Sequence, residues 1–137
     1  MISIYVHPTC TSCRKAVALL EGLDADVARR DYFRDRFMAK ELRGVLVQAD
    51  RAPAEMLSTR ARAYKDLGIA DLTVSDDEFI DLMVTEPTLL RRPMATAGRQ
   101  STVGFNADAL TALAVADAHG RRRSRSPRLT RNTFDRR

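Results

Sequence analysis

The chain opens with Ile2-Ser3-Ile4-Tyr5-Val6, a short β-rich run that predicts a buried strand. His7-Pro8-Thr9 breaks it. From Thr11 to Glu21 the apolar Ala16, Val17, Leu19 and Leu20 cluster at helical spacing, so a helix is predicted there with Gly22 as its C-cap. Residues 24–33, DADVARRDYF, read as a second strand centred on Val27 despite their charges. A strand, a helix and a strand joined in this way favour parallel pairing of the two strands. Three shorter helical segments follow. Residues 38–49 place Leu42, Val45 and Leu46 on one face, and residues 58–68 carry a Ser or Thr cap and end at Gly68. Residues 75–87 open with Ser75 and Glu78 at capping-box spacing, set Asp76 and Asp77 where the helix dipole favours acids, and stop before Pro87. Residues 91–97 and 101–105 then read as two strands around a tight turn, an antiparallel hairpin. Asn106 caps a last helix over 107–118, apolar along Leu110, Leu113 and Ala114.

The element order is therefore β-α-β, a helical insert, then β-β-α. It predicts an α/β domain with a mixed sheet, and a chain of 137 residues is long enough for one such core without structural disulfides. No apolar run approaches the roughly 18 residues needed to cross a bilayer, so no membrane association is expected. The N-terminus passes straight into a strand pattern with no basic region or cleavage site, which makes cytoplasmic residence the expectation.

Charge divides the chain in two. Of 23 basic and 18 acidic side chains, eight arginines and one aspartate fall in residues 120–137, giving that stretch +7. The preceding 119 residues keep 15 basic and 17 acidic groups, a net charge of −2. An Arg/Ser-rich end with so few apolar residues cannot offset its ordering entropy, so 1–119 is expected to be the folded domain and 120–137 a disordered tail. The tail is either solvated or a weak contact for nucleic acid or another polyanion.

Two cysteines, Cys10 and Cys13, stand three apart at the predicted helix start. Unpaired N–H groups and the helix dipole favour an anion there, which lowers a thiol pKa and makes Cys10 a nucleophile. Arg14 and Lys15 add positive charge. Cys13, one turn on, is placed to resolve a mixed disulfide on Cys10. Two other readings stand beside this one. A structural zinc needs about four ligands, and the chain offers two cysteines and two histidines, with His119 far along the chain. Inert buried cysteines fit poorly with the flanking Thr11, Ser12 and Arg14. The redox reading calls for no cofactor.

The stretches YVHPTCTSCRKAVALLE, LSTRARAYKDLG, EPTLLRRPM and VGFNADAL, spanning about residues 2–114, resemble the four signature stretches of the arsenate reductase (ArsC)/Spx family. The resemblance implies a thioredoxin-like fold with a helical insert, in which Pro93 is the cis-proline facing the thiol pair. It implies a redox disulfide between Cys10 and Cys13 and a catalytic set of Cys10, Cys13 and Arg92. Glutaredoxin-linked arsenate reductases hold their oxyanion with a cysteine and three arginines. Cys10 and Arg92 match two of these positions, while Ser58 and Phe105 occupy the other two, with Arg60 close to the first. Arg60 is thus a candidate anion-binding residue. Spx-like members, which share the CxxC, STR and RRP motifs, are redox-sensing regulators that bind the C-terminal domain of the RNA polymerase α subunit. Their contact glycine has Ala52 and Pro53 in its place here. The expectation is an arsenate-reductase-like oxidoreductase recycled by a thioredoxin or glutaredoxin system, the alternative a regulator of the Spx kind.

Overall fold

The computed structural model describes residues 1–120. Strand β1 (Ile2–Val6) lies inside a four-stranded sheet of order β2-β1-β3-β4. It runs parallel to β2 (Val27–Asp31), with Ile2 opposite Val27 and Val6 opposite Asp31. On its other side it is antiparallel to β3 (Met94–Ala97), which forms a hairpin with β4 (Gln100–Val103). The sheet is mixed, and the α/β architecture predicted from the element order is the one observed.

The alternation in β1 decides what lies on each face. Ile2, Ile4 and Val6 point to one side and are buried, because side chains two apart share a face of a strand. There they meet helix α1 (Thr11–Gly22) through Cys13, Ala16, Val17 and Leu20. The C-terminal helix, which covers 107–120 and is designated α5, adds Leu110 and Leu113. Burying an aliphatic side chain of this size stabilises the fold by about 1.5–3 kcal/mol. The opposite face is covered by the insert: α2 (Ala39–Gln48), α3 (Arg62–Asp66) and α4 (Asp76–Thr85). Its core joins Leu42, Leu46, Met56, Ile80 and Met83 to Tyr32, Phe37 and Met94.

Two predicted caps form as expected. The Ser75 side chain accepts the Glu78 N–H while the Glu78 carboxylate takes the Ser75 N–H, closing the capping box of α4. The Asn106 side-chain oxygen Oδ1 accepts the Ala109 N–H at 3.0 Å.

Other local expectations are corrected. Gly22 is the last residue of α1, not its cap; the chain turns left-handed at Asp24 (φ 54°). The Ala25 N–H then reaches the Leu20 carbonyl and the Asp24 N–H the Glu21 carbonyl, a Schellman closure. Helix α2 ends the same way at Asp50 (φ 56°). A short polar side chain tolerates this conformation, so aspartate does at the end of α1 what was expected of glycine, and does the same at the end of α2.

The helix expected over 58–68 shrinks to Arg62–Asp66, and its N-cap Ala61 makes no side-chain bond. Leu57 instead pairs with Leu90 in an isolated antiparallel bridge. The Ser58 N–H donates to the Leu89 carbonyl, and the Arg91 N–H to that of Met56. These bonds hold 57–58 extended, so Ser58 and Thr59 lie outside the helix. The predicted strand over 91–97 begins at Met94, after the cis Arg92–Pro93 bond, because proline has no N–H for the ladder. The Arg/Ser-rich stretch lies, apart from Gly120, outside the described residues.

Candidate functional site

Three loops converge beyond the C-terminal ends of the parallel pair β1 and β2. In open α/β sheets this is the edge where ligands bind. The first loop, His7 to Cys10, is set by its own polar groups. His7 Nδ1 accepts the Thr9 N–H at 3.1 Å and lies 2.8 Å from the Thr9 hydroxyl. The Pro8 carbonyl takes a bond from Arg14 Nε at 3.1 Å, and the His7 carbonyl accepts the Cys10 N–H at 3.2 Å. Cys10 is thereby held as the N-cap of α1, in extended conformation.

The cap is made by sulfur. Cys10 Sγ accepts the Cys13 backbone N–H at 3.4 Å, in the position where a serine or aspartate oxygen usually satisfies one of the free N–H groups of a first turn. Burial alone would raise the Cys10 pKa. The bonds from the Cys13 thiol and backbone N–H, and the Arg92 guanidinium beside it, outweigh that cost and bring it below the usual thiol value. Cys13 shows the opposite balance. It is 1% exposed within the α1 face of the core, and burial pushes its pKa up to about 12 against a partial offset from the His7 backbone. Neighbouring sulfurs are thus pushed in opposite directions, the half-buried Cys10 toward the thiolate and the buried Cys13 toward the thiol.

The second loop carries Arg92 and Pro93. The Arg92 guanidinium carbon lies 5.5 Å from the centroid of the Phe33 ring, a cation–π contact, and Arg92 Nε is buried without a hydrogen-bond partner. The third loop, from 57 to 62, faces the thiol across an open cleft of about 790 Å³. Cys10, Ser12, Ser58, Thr59, Thr88 and the arginines Arg60, Arg62, Arg91 and Arg92 line it, with no carboxylate among the lining residues. Arg62 leans toward Asp66 at 3.7 Å, and Arg91 donates to the Glu55 carbonyl at 3.2 Å.

All the residues singled out from the sequence thus have a place. Cys10, Arg60 and Arg92 line one cleft, Cys13 lies directly behind Cys10, and the Arg92–Pro93 peptide bond is cis. Phe33 was not singled out. It packs edge-on against His7 at 4.2 Å as well as under Arg92, and only its place at the end of β2 beside Tyr32 could have pointed to it. Among the described residues no three or more His, Cys, Asp or Glu side chains gather as a metal site.

Comparison with known proteins bears on the family and the fold. The sequence pattern of the ArsC family matches residues 5–113. A global transcriptional regulator Spx from Lactiplantibacillus plantarum is 32% identical over 108 residues, covering 79% of this chain and 82% of that protein. Spx 1 of Lactococcus lactis is 31% identical over 112 residues, covering 82% and 88%. Among solved structures, the arsenate reductase of Vibrio cholerae superposes with a TM-score of 0.74 at 25% identity, over 82% of this chain and 96% of that one.

Proposed function

Because the chain belongs to the ArsC family, we propose that it is a thiol–disulfide redox protein in which Cys10 attacks and Cys13 resolves. One observation carries this reading: Cys10 Sγ caps α1 beside Arg92 with a lowered pKa and opens onto the arginine-lined cleft, while Cys13 is buried behind it as a thiol.

The leading form of the reading is an arsenate-reductase-like oxidoreductase. Arg92 steadies the Cys10 thiolate and, with Arg60, an anionic substrate. The Cys10 thiolate displaces one oxygen of a pentavalent oxyanion, which leaves as water once protonated. Cys13, deprotonated as it attacks, then bonds to Cys10 Sγ and the electron pair passes to the reduced product. The Cys10 thiolate and the Cys13 thiol thus supply two electrons and one proton, solvent supplies the second proton of the water released, and the enzyme is left with a Cys10–Cys13 disulfide. A thioredoxin or glutaredoxin system returns it to the dithiol. The reaction fits the reducing conditions of the cytoplasm.

The relatives named as global transcriptional regulators favour a second reading. In it the same disulfide is a switch that alters a surface for the C-terminal domain of the RNA polymerase α subunit. Both readings assign the chemistry to residues 1–119 and leave 120–137, at +7, as a stretch for weak contact with nucleic acid.

A single comparison separates the two. Arsenate-dependent turnover is measured with each reductant system, beside binding of the oxidised and reduced protein to the polymerase domain. The enzyme reading expects turnover that Cys10→Ser abolishes. Redox-dependent binding without turnover would replace it with the regulator. Mass spectrometry of the oxidised protein should show the loss of two hydrogens across the Cys10 and Cys13 peptides. Overoxidised, unlinked cysteines would sink both.

A further inference from the structure

Phe33 follows β2 and is fixed there by its own backbone, whose N–H donates to the Asp31 carboxylate at 3.0 Å. Its half-buried ring joins the aromatic edge of the insert core, with Tyr32 at a centroid distance of 5.0 Å and the His7 ring edge-on at 4.2 Å. The Arg92 guanidinium carbon lies 5.5 Å from its centroid. One ring therefore touches both loops that build the thiol site. The first supplies the His7 carbonyl that holds the Cys10 N–H; the second supplies the cation beside the Cys10 sulfur.

Arg92 needs such a support. Its Nε is buried and unbonded, and among the described residues no carboxylate pairs with it. An arginine ordinarily takes its orientation from a carboxylate fork or from stacking on an aromatic face. Here the structure offers the aromatic face of Phe33, with the Tyr32 hydroxyl also beside the guanidinium. It leaves the full positive charge for the thiol, whereas a carboxylate would neutralise it.

Building on the assignment of Cys10 as the attacking thiolate, we infer that Phe33 is a positioning residue that holds the Arg92 guanidinium against Cys10. Arg92 acts on the sulfur, and Phe33 acts through Arg92. The other titratable or charged groups around Cys10 are the Cys13 thiol from α1, the His7 ring in the loop before it, the buried Tyr32 hydroxyl after β2, and, around the cleft, Arg60, Arg62 and Arg91. Of these, His7 and Tyr32 also contact the Phe33 ring, which is why the Arg92→Ala background is needed to isolate the path through Arg92. The Tyr32 pKa is raised, by burial above all, so it stays neutral across the range in which Cys10 titrates.

The test is the pH profile of Cys10 alkylation in the full chain, read by mass spectrometry, for the wild type, Phe33→Leu, Phe33→Met and Phe33→Tyr. Leucine and methionine keep apolar volume but lose the π face, and should lower the alkylation rate at pH 6 roughly three- to tenfold. Tyrosine keeps the face and should restore the wild-type profile. In an Arg92→Ala background, changing Phe33 to leucine should have no further effect on the profile. Unchanged profiles in folded Phe33→Leu and Phe33→Met proteins would overturn the inference, as would an equal shift with and without Arg92. Methionine serves should the leucine variant fail to fold. A wild type whose Cys10 is no more reactive than Cys13 would instead refute the underlying assignment, so the two failures are distinguishable.

Discussion

The two faces of the sheet are built in different ways. Under α1 and α5 the core is aliphatic and regular, with Ala16, Val17 and Leu20 at helical spacing over the alternating residues of β1. Under the insert it is aromatic and irregular, with three helices of ten residues or fewer interleaved with 3₁₀ turns at Pro53–Met56, Ile69–Asp71 and Pro87–Leu89. The regular face presents the thiols; the irregular one presents Arg92, Phe33 and the rest of the cleft wall. A helix fixes the distance between two sulfurs because its geometry is repetitive. Loops braced by single bonds, such as Ser58 N–H to the Leu89 carbonyl, can place cations at spacings no helix provides.

The largest effect that should follow lies within the regular face itself. With one pKa lowered and the other pushed up to about 12, Cys10 carries far more thiolate than Cys13 at neutral pH. Iodoacetamide at pH 7 should therefore label Cys10 and leave Cys13 intact in the folded reduced protein; comparable labelling of both would erase the contrast. The Cys13 shift also has a consequence for stability. The folded chain holds that proton more tightly than the unfolded chain, so its contribution is complete below the ordinary value of 9.0 and is lost as pH rises toward about 12. Urea titrations across that window should show a decline that Cys13→Ala reduces.

A second experiment sets one face against the other. Leu20→Ala and Ile80→Ala each remove a side chain no more than 2% exposed, one under α1 and one under the insert, and each should cost about 2–5 kcal/mol by urea unfolding. Leu20→Ala, seven residues from Cys13 on the same helix, should also change the ratio of Cys10 to Cys13 alkylation. Ile80→Ala should leave that ratio alone, and if it does not, the faces are coupled more tightly than their separate cores imply.

Smaller again is Arg92→Ala, which should raise the Cys10 pKa and slow its alkylation at pH 6 several-fold. An unchanged rate would remove the irregular face from the thiol chemistry. The smallest is Ser75→Ala, which breaks the capping box of α4 for about 1 kcal/mol and should leave both thiols untouched.

The same contrast explains what could be read from the sequence. β1, α1, the hairpin and α5 announce themselves through period and turn chemistry, and the capping box at Ser75 is a local signal for a local bond. The thiols were legible because a CxxC motif at a helix start is a local arrangement too. The course of residues 57–61 was not, since it depends on a bridge between Leu57 and Leu90, thirty-three positions apart. A Ser-Thr pair ahead of an amphipathic stretch looks like a cap until a distant strand-like partner takes its backbone. The helix ends at Asp24 and Asp50 escaped notice because aspartate carries no unique signal for the left-handed conformation. Phe33 escaped because its partners come from two other loops.

Cys13, at 1% exposure, shares its enclosure with Ala16 and Ile4, while Cys10 stands at the rim of the cleft. A dissolved oxidant such as a peroxide consequently meets one sulfur of the pair and is screened from the other. Chemical damage therefore has its point of entry at Cys10, and under the proposed function the second sulfur is a protected reserve that closes a disulfide before the first is driven to its irreversible acids.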